Sequence, residues 1–327
     1  AHRQLAVANL DETACSGLHE LYRSRLGAVA YLSHTRDDVL VFICALQRAA
    51  NSPTVGHAKK LNKLRGWLQK QPKKLTFLPL QAKDTHLRII SDAAFKKEVD
   101  SGYSLRGALF MRAAGTSTSD FTAPGNVHLL DWACKSQRHV TRSTFAAELF
   151  GAGDSIDHGL LLSQLLKEVE CGEISATQAR NMREDGGFLP IALYLDAMSV
   201  FAAVTATFLK IPAEKSLLPH VQFVRDLLDK RVVSSLLWID TRDMFADGLT
   251  KGAVSRELLH TVSDGTMKFA HPWKIWQSKV VACRNDSLDS AAAQSPDNLY
   301  SASAQASSAF FCLSVLQVKD MAGPQEL

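Results

Sequence analysis

The sequence predicts an α/β fold, in which a mixed five-stranded sheet carries helices on its faces and follows a small helical segment. The 327 residues are 46% hydrophobic and 21% charged, a composition typical of globular domains. The first part of the chain shows only helical periodicity, whereas short β-rich segments alternate with helical ones from Leu87 onwards. Helices that separate strands in this order indicate a mixed sheet covered on both faces.

The N-terminal segment, residues 1–83, is predicted to be helical and basic. An apolar run over residues 22–50 is interrupted at 34–38, and a turn at 51–54 precedes a second apolar stripe. The apolar positions of that stripe recur at i, i+3 and i+7: Leu61, Leu64 and Leu68. The spacing predicts an amphipathic helix over about residues 57–74.

Positive charge is concentrated in this segment. The chain has 37 Lys and Arg against 33 Asp and Glu, a net charge of +4, but no acid occurs between Val39 and Lys83. Lysines crowd the predicted helix, among them Lys59, Lys60 and Lys63. A charge run on an amphipathic helix is often only a solvated face, but the missing acids favour contact with a polyanion such as a phosphate backbone.

The next segment, residues 84–262, is predicted to hold the sheet. Strands are expected at 87–92, 103–112, 127–132, 189–196 and 232–240. A long helix is expected from Ser143 to Cys171, a polar loop at 172–188, and further helices after residues 196, 213 and 243. Residues 263–327 form a C-terminal extension, and its Ala- and Ser-rich sequence predicts that it is largely disordered.

Four carboxylates occupy positions that a purely structural role explains poorly. Asp92 and Asp196 are expected to close the first and fourth strands, and Asp247 follows the last strand. Strand ends of an open α/β sheet converge on one edge, where gathered carboxylates repel one another unless a cation neutralises them. Each acid alone could instead cap a turn or a helix. Glu148 differs because it lies in an otherwise apolar helix and needs a partner if buried.

Together the four oxygen donors favour Mg²⁺ or Mn²⁺, two ions of which can drive phosphodiester hydrolysis. Cysteine chemistry is not expected. The six cysteines lie far apart without a CxxC pair, which argues against a zinc ribbon or a disulfide framework. They are predicted to be buried or unpaired thiols.

Several fragments, in matching order and spacing, resemble the C-terminal part of copia-type retrotransposon Pol polyproteins, where reverse transcriptase runs into ribonuclease H. Residues 132–148 (WACKSQRHVTRSTFAAE) are similar to the family's W-x-S-K-K-Q-x-x-V-x-R-S-S-T-E-A-E. Residues 194–199 (YLDAMS), 223–226 (FVRD) and 246–251 (ADGLTK) resemble C-D-N-x-S-A, F-I-R-E and A-D-x-x-T-K. Residues 20–42 resemble the family's segment at the end of reverse transcriptase, so the resemblance covers about residues 20–262.

The resemblance implies a ribonuclease H-like fold and cleavage of the RNA strand of RNA–DNA hybrids by two-metal hydrolysis. It places the metal-binding and catalytic set on Asp92, Glu148, Asp196 and Asp247. It also places Lys135, Gln137 and Arg142 near the substrate and implies that the basic helix binds the duplex. The implied partners are the hybrid and the remainder of the Pol polyprotein, without a membrane. The expected location is intracellular, either cytoplasmic, including virus-like particles, or nuclear.

Three departures from the family pattern bear on activity. Ala146 replaces a Glu, so Ser143 lacks the acid of a capping box, and Ala197 replaces an Asn beside the third carboxylate. Leu218 stands where the family has Asp. These changes keep open an inactive relic that binds nucleic acid or a polymerase partner. A strand-transfer enzyme such as an integrase is disfavoured, because its zinc-binding His/Cys module is missing.

Overall fold

A twisted sheet organises the molecule, and the computed structural model describes it through residues 9–81, 83–95, 104–185, 188–208 and 212–278. Within these residues the sheet has seven strands in the order β6-β3-β2-β1-β4-β5-β7. Their bounds are Thr85–Ala94 (β1), Leu105–Ala114 (β2), Gly125–Ser136 (β3), Ile191–Leu195 (β4), Ser235–Ile239 (β5), Thr266–Met267 (β6) and Trp273–Trp276 (β7). β1, β4 and β5 are parallel, and the remaining pairs are antiparallel.

The predicted α/β class and mixed sheet are confirmed, but the sheet has seven strands rather than five. The five predicted strands are β1 to β5, and the two additional strands lie at the edges of the sheet. β6 and β7 belong to the extension that was expected to be largely disordered from residue 263. They have only two and four residues, too few to show an alternating pattern. Residues 279–327 lie outside the described part.

Helices cover both faces of the sheet. The first three described helices of the chain form a further layer. The described helices are Ser16–Tyr31 (α1), Leu40–Arg48 (α2), Val55–Lys70 (α3), Thr144–Cys171 (α4), Ala176–Asp185 (α5), Met198–Thr205 (α6), Leu218–Asp229 (α7), Asp247–Thr250 (α8) and Glu257–Ser263 (α9). One face packs against α4, α6 and α7, and the other packs against α8 and α9. No described helix has the length and apolarity that a bilayer crossing requires.

α4 lies close to the sheet because small residues line its inner face. Ser143 is its N-cap, and the Ser143 hydroxyl accepts a hydrogen bond from the backbone N–H of Ala146, as the sequence predicted. Ala147 is fully buried, and Gly159 leaves no room for a methyl group because a Cβ there would overlap Cδ1 of Ile89. The glycines at 151 and 159 therefore let α4 pack closely along β1.

The N-terminal helices α1, α2 and α3 form their own apolar core and then pack on the sheet. α3 begins at the N-cap Thr54, as predicted, and its side chain accepts a hydrogen bond from the backbone N–H of His57. All described residues belong to one compact unit.

Two buried acids link this layer to the end of the domain. Asp37 is fully buried, lies 2.5 Å from the Lys73 ammonium and accepts a hydrogen bond of 2.7 Å from the Ser263 hydroxyl. Asp38 pairs with the guanidinium of Arg36. Both acids lie in a short 3-10 helix, Asp37–Val39, directly before α2. Lys73 is therefore neutralised and no longer adds to the basic surface.

Another difference from the expected elements is α5, which forms within the predicted polar loop. Most of its side chains are exposed, and Ala179 is its buried apolar residue among those described. A helix with so narrow an apolar face produces little periodicity in the sequence.

Candidate metal centre

Two parallel neighbouring strands bring Asp92 and Asp196 together. Ile90 of β1 pairs with Tyr194 of β4, so the residues two positions further along each strand, Asp92 and Asp196, lie at the same level. Asp92 was expected to close its strand, but β1 continues to Ala94 and Asp92 pairs with Gly107 of β2. Asp92 is 1% exposed, whereas Asp196 is half-buried just after β4.

Glu148 reaches the same place from α4. It lies in the second turn, and the backbone N–H of Ala93 donates a hydrogen bond to its carboxylate. Ligand oxygens of Asp92, Glu148 and Asp196 all lie within 4.8 Å of one another. Three acids separated by about 50 residues in the sequence therefore form one cluster, which we call the acidic triad.

Asp247 lies beside the acidic triad and is connected to it by a lysine. The Lys251 ammonium forms an ion pair with Asp247 and lies 3.5 Å from Oδ1 of Asp92. The hydroxyl of Thr250, in the same helix, donates to Oδ2 of Asp92. α8 can approach this closely because residue 107 of β2 is glycine, where a Cβ would lie only 2.7 Å from Cγ2 of Thr250.

Three acids of this centre, Glu148, Asp196 and Asp247, have raised pKa values. Burial raises the pKa of Glu148 from 4.5 to about 9, with further contributions from the charges of Asp92 and Asp196. Burial and the Asp92 charge also raise the pKa of Asp196, and they raise that of Asp247 to about 6. Burial opposes the charge of Lys251, but Asp92 and Asp247 outweigh it and raise the pKa of that ammonium. The positive charge of Lys251 therefore does not balance the carboxylates around it.

The donor set fits a hard divalent cation. All three members of the acidic triad offer carboxylate oxygens, which are the ligands that Mg²⁺, Mn²⁺ and Ca²⁺ prefer. Oε2 of Glu148 is buried without a hydrogen-bond partner among the described residues, so one ligand atom is available. A buried oxygen of this kind costs free energy unless a proton or a cation satisfies it.

The predicted nucleic-acid contacts fall on two surfaces. Lys60 and Lys63 are exposed on α3, and Lys59 is half-buried beside them. Lys135 and Arg142 are exposed near the start of α4.

Gln137 differs from these basic residues. It is 3% exposed, and its Nε2 donates a hydrogen bond of 2.6 Å to the carbonyl oxygen of Ala147. The side chain therefore holds the start of α4 in place next to Glu148.

Sequence reasoning missed the neighbours that position the carboxylates. Lys251 and Thr250 lie in the fragment 246–251 that carries Asp247, yet no role was assigned to either. The available signal was spacing, because a lysine four residues after an acid lies on the same side of a helix turn. No comparable signal indicated that Thr250 contacts Asp92, since 158 positions separate them.

Comparison with known proteins supports a relationship to retroelements. The chain is 25% identical over 234 residues to the "Retrovirus-related Pol polyprotein from transposon RE1" of Arabidopsis thaliana. The match covers 70% of this chain and 14% of the polyprotein, so the chain corresponds to a small part of that protein. No protein-family model matches the sequence.

Proposed function

We propose that this chain is a ribonuclease H that cuts the RNA strand of RNA–DNA hybrids by two-metal phosphodiester hydrolysis, within a retrotransposon Pol polyprotein. The observation that supports it most strongly is the acidic triad, in which Asp92, Glu148 and Asp196 lie within 4.8 Å of one another. The ribonuclease H-like sheet and the similarity to a Pol polyprotein support the same assignment.

Each carboxylate has a distinct role in this proposal. Asp92 and Asp196 would hold the two Mg²⁺ or Mn²⁺ ions, Glu148 would hold one ion and orient the attacking water, and Asp247 would complete the second site. When bound, the divalent ions activate a water and stabilise the leaving oxygen, which leaves 3′-hydroxyl and 5′-phosphate ends. Glu148 must give up its proton before it can act as a ligand, so its burial couples ion binding to proton release.

Lys251 and Thr250 position this machinery. The Lys251 ammonium supplies part of the positive charge that Asp92 and Asp247 need while divalent ions are absent. The hydroxyl of Thr250 fixes one oxygen of Asp92, and the other oxygen lies 3.5 Å from the Lys251 ammonium.

The hybrid is recognised through its backbone. Lys135 and Arg142 lie on the exposed surface that leads into α4, and Lys60 and Lys63 extend the basic surface on α3. Ammonium and guanidinium groups contact phosphates without reading base sequence, and discrimination between strands comes from the 2′-hydroxyl.

A catalytically inactive hybrid-binding protein is the second candidate. Ala197 favours it, because the copia-type pattern that this chain resembles has a polar Asn beside the third carboxylate, and a methyl group offers no hydrogen bond there.

Cleavage of a labelled RNA–DNA hybrid in Mg²⁺ or Mn²⁺ tests the proposal. We expect the wild type to cut the RNA strand and the variants Asp92→Asn and Asp196→Asn to lose cleavage by at least about 100-fold, as expected when an electrostatic catalytic group is removed. Asp226→Asn is the matched control, because Asp226 is an exposed acid paired with Lys230 on α7. That variant should cut normally.

The same experiment separates the two candidates. Hybrid binding without cleavage by the wild type would favour the inactive protein. Equal cleavage by the wild type and both Asn variants would reject a metal centre at the acidic triad.

A further inference from the structure

A second chemically distinctive cluster lies between α2 and β3, and the proposed nuclease function does not use it. Arg48, at the end of α2, donates hydrogen bonds of 3.1 and 2.8 Å from Nε and Nη2 to the hydroxyl of Ser136. Nε1 of Trp132 donates to the carbonyl oxygen of Ser33. Residues 132 and 136 of β3 therefore face the N-terminal helices, and so does residue 134 between them.

The spacing of the two elements brings two cysteines face to face. Cys44 lies four residues before Arg48 in a helix, a distance of about 6 Å along the axis. Cys134 lies two residues before Ser136 in a strand, a distance of about 6.7 Å. Because the steps match, Cys44 lies opposite Cys134 just as Arg48 lies opposite Ser136. The two thiols are close enough for each to shift the pKa of the other, although 90 positions separate them.

The surroundings stabilise a negative charge on Cys44. The Cys134 thiol, the Arg48 guanidinium, and the hydroxyl and backbone N–H of Ser136 are groups that favour the charged form of Cys44. These groups, Cys134 first among them, lower the pKa of Cys44 to about 6 against the opposing effect of burial. The pKa of Cys134 is raised, because the Cys44 sulfur lies beside it and its own site is buried.

We propose that Cys44 and Cys134 form a thiol–disulfide pair, with Cys44 as the attacking thiolate, Cys134 as the resolving thiol and a low-molecular-weight disulfide as the oxidant. The proposal rests on the contact of the two thiols across the α2–β3 interface and is independent of the nuclease function. It assigns chemistry to cysteines that were predicted to be inert.

The reaction proceeds in two exchanges. The Cys44 thiolate attacks one sulfur of glutathione disulfide, the S–S bond of glutathione breaks, and one glutathione thiolate leaves. The Cys134 thiol then loses its proton to solvent and attacks the Cys44 sulfur, and the second glutathione thiolate leaves. Two cysteine thiols lose two electrons in total, and one glutathione disulfide is reduced to two glutathione molecules.

The product would join the N-terminal helical layer covalently to the sheet. β3 ends at Ser136, next to Lys135 and to Gln137, which holds the start of α4. The disulfide would therefore fix the basic helix layer relative to the strand that precedes Glu148. In a reducing cell such pairs form transiently and respond to oxidants.

Incubation of the full chain in glutathione buffers, followed by peptide mapping, tests this proposal. We expect the oxidised wild type to yield a peptide pair linked through Cys44 and Cys134. The variant Cys134→Ser should stop at a mixed disulfide between Cys44 and glutathione. In Cys44→Ser, Cys134 should stay unmodified. Cys171→Ser is the matched control, because Cys171 is exposed and distant in the sequence, and it should form the 44–134 link normally.

A rate measurement provides the second test. At pH 7 in reductant-free buffer, limiting iodoacetamide should alkylate Cys44 several-fold faster than Cys171, because the thiolate is the reacting species. Absence of the 44–134 peptide from the oxidised wild type would overturn the proposal, as would alkylation of Cys44 no faster than that of Cys171. Both readouts use the wild type, so they decide the matter even if a serine variant does not fold.

Discussion

Replacing Glu148 with Gln should stabilise the metal-free protein, although Glu148 is proposed to be essential for activity. The carboxyl group is buried beside Asp92 and Asp196, and one of its oxygens has no partner among the described residues. A glutamine fits the same space, keeps an oxygen for the N–H of Ala93 and carries an amide that can donate to the neighbouring carboxylates. The substitution removes a carboxyl group that must take up a proton or bind a cation when it is buried at this place.

The size of the effect follows from the pKa of Glu148, which folding raises from 4.5 to about 9. The folded state binds the proton more tightly than the unfolded state, so stability falls as pH rises from about 4.5 to about 9. At pH 7 the loss spans about 2.5 pH units at about 1.36 kcal/mol each, or about 3 kcal/mol. Gln has no proton to lose and should recover up to that amount, which corresponds to a melting temperature roughly 5–10 °C higher.

Thermal unfolding in EDTA, followed by circular dichroism at pH 5, 7 and 8.5, measures this effect. The difference between Glu148→Gln and the wild type should be small at pH 5 and should grow with pH. Excess Mg²⁺ should raise the melting temperature of the wild type more than that of the variant. Asp226→Asn should show no such pH-dependent gain. A Glu148→Gln protein that melts at or below the wild type at pH 7 in EDTA would refute the reasoning.

Three further predictions concern packing, charge and nucleic-acid contact. Gly159→Ala should lower the free energy of unfolding by about 1–3 kcal/mol, because the added methyl group would overlap Ile89. Gly153→Ala should raise the free energy of unfolding by about 0.5–1 kcal/mol, because Gly153 has open space around it. Urea denaturation measures both, and equal effects would contradict the packing argument. Lys251→Met should lower the melting temperature in EDTA, because Asp92 and Asp247 lose their ammonium partner. In calorimetry the same variant should bind Mn²⁺ about tenfold more tightly, since one competing cation is removed. Weaker Mn²⁺ binding would contradict the role of Lys251 as a competing cation. Charge reversal of Lys60 and Lys63 should weaken hybrid binding and reduce the salt dependence of log K by about 1 per lysine, and an unchanged slope would place α3 outside the interface.

Much of the fold was predictable because its strands and helices carry strong local signals. β4 is buried on both sides and its sequence, IALYL, is a continuous apolar run, and Ser143 is a typical N-cap residue at the start of α4. The missed elements lack such signals. α5 has few buried side chains, and β6 and β7 owe their strand form to pairing with β3 and β5.

The candidate site was predictable in its carboxylates but not in their surroundings. The sequence places Asp92 and Asp196 near the carboxyl ends of two strands, and such ends converge on one edge of an α/β sheet. The positions of Gln137 and Thr250 depend on how α4 and α8 dock on the sheet, which the local sequence does not encode. Gln137 shows the difference clearly, since the sequence gives no sign that its side chain is buried and donates a hydrogen bond to the helix backbone.

The buried carboxylate of Asp37 also constrains the order of events during synthesis. Its two partners, Lys73 and Ser263, come from opposite ends of the described chain. On a ribosome the first helices emerge early, but the hydroxyl that completes this pocket is translated about 190 residues after Lys73. The N-terminal helices therefore cannot reach their final packing until nearly the whole domain has left the exit tunnel.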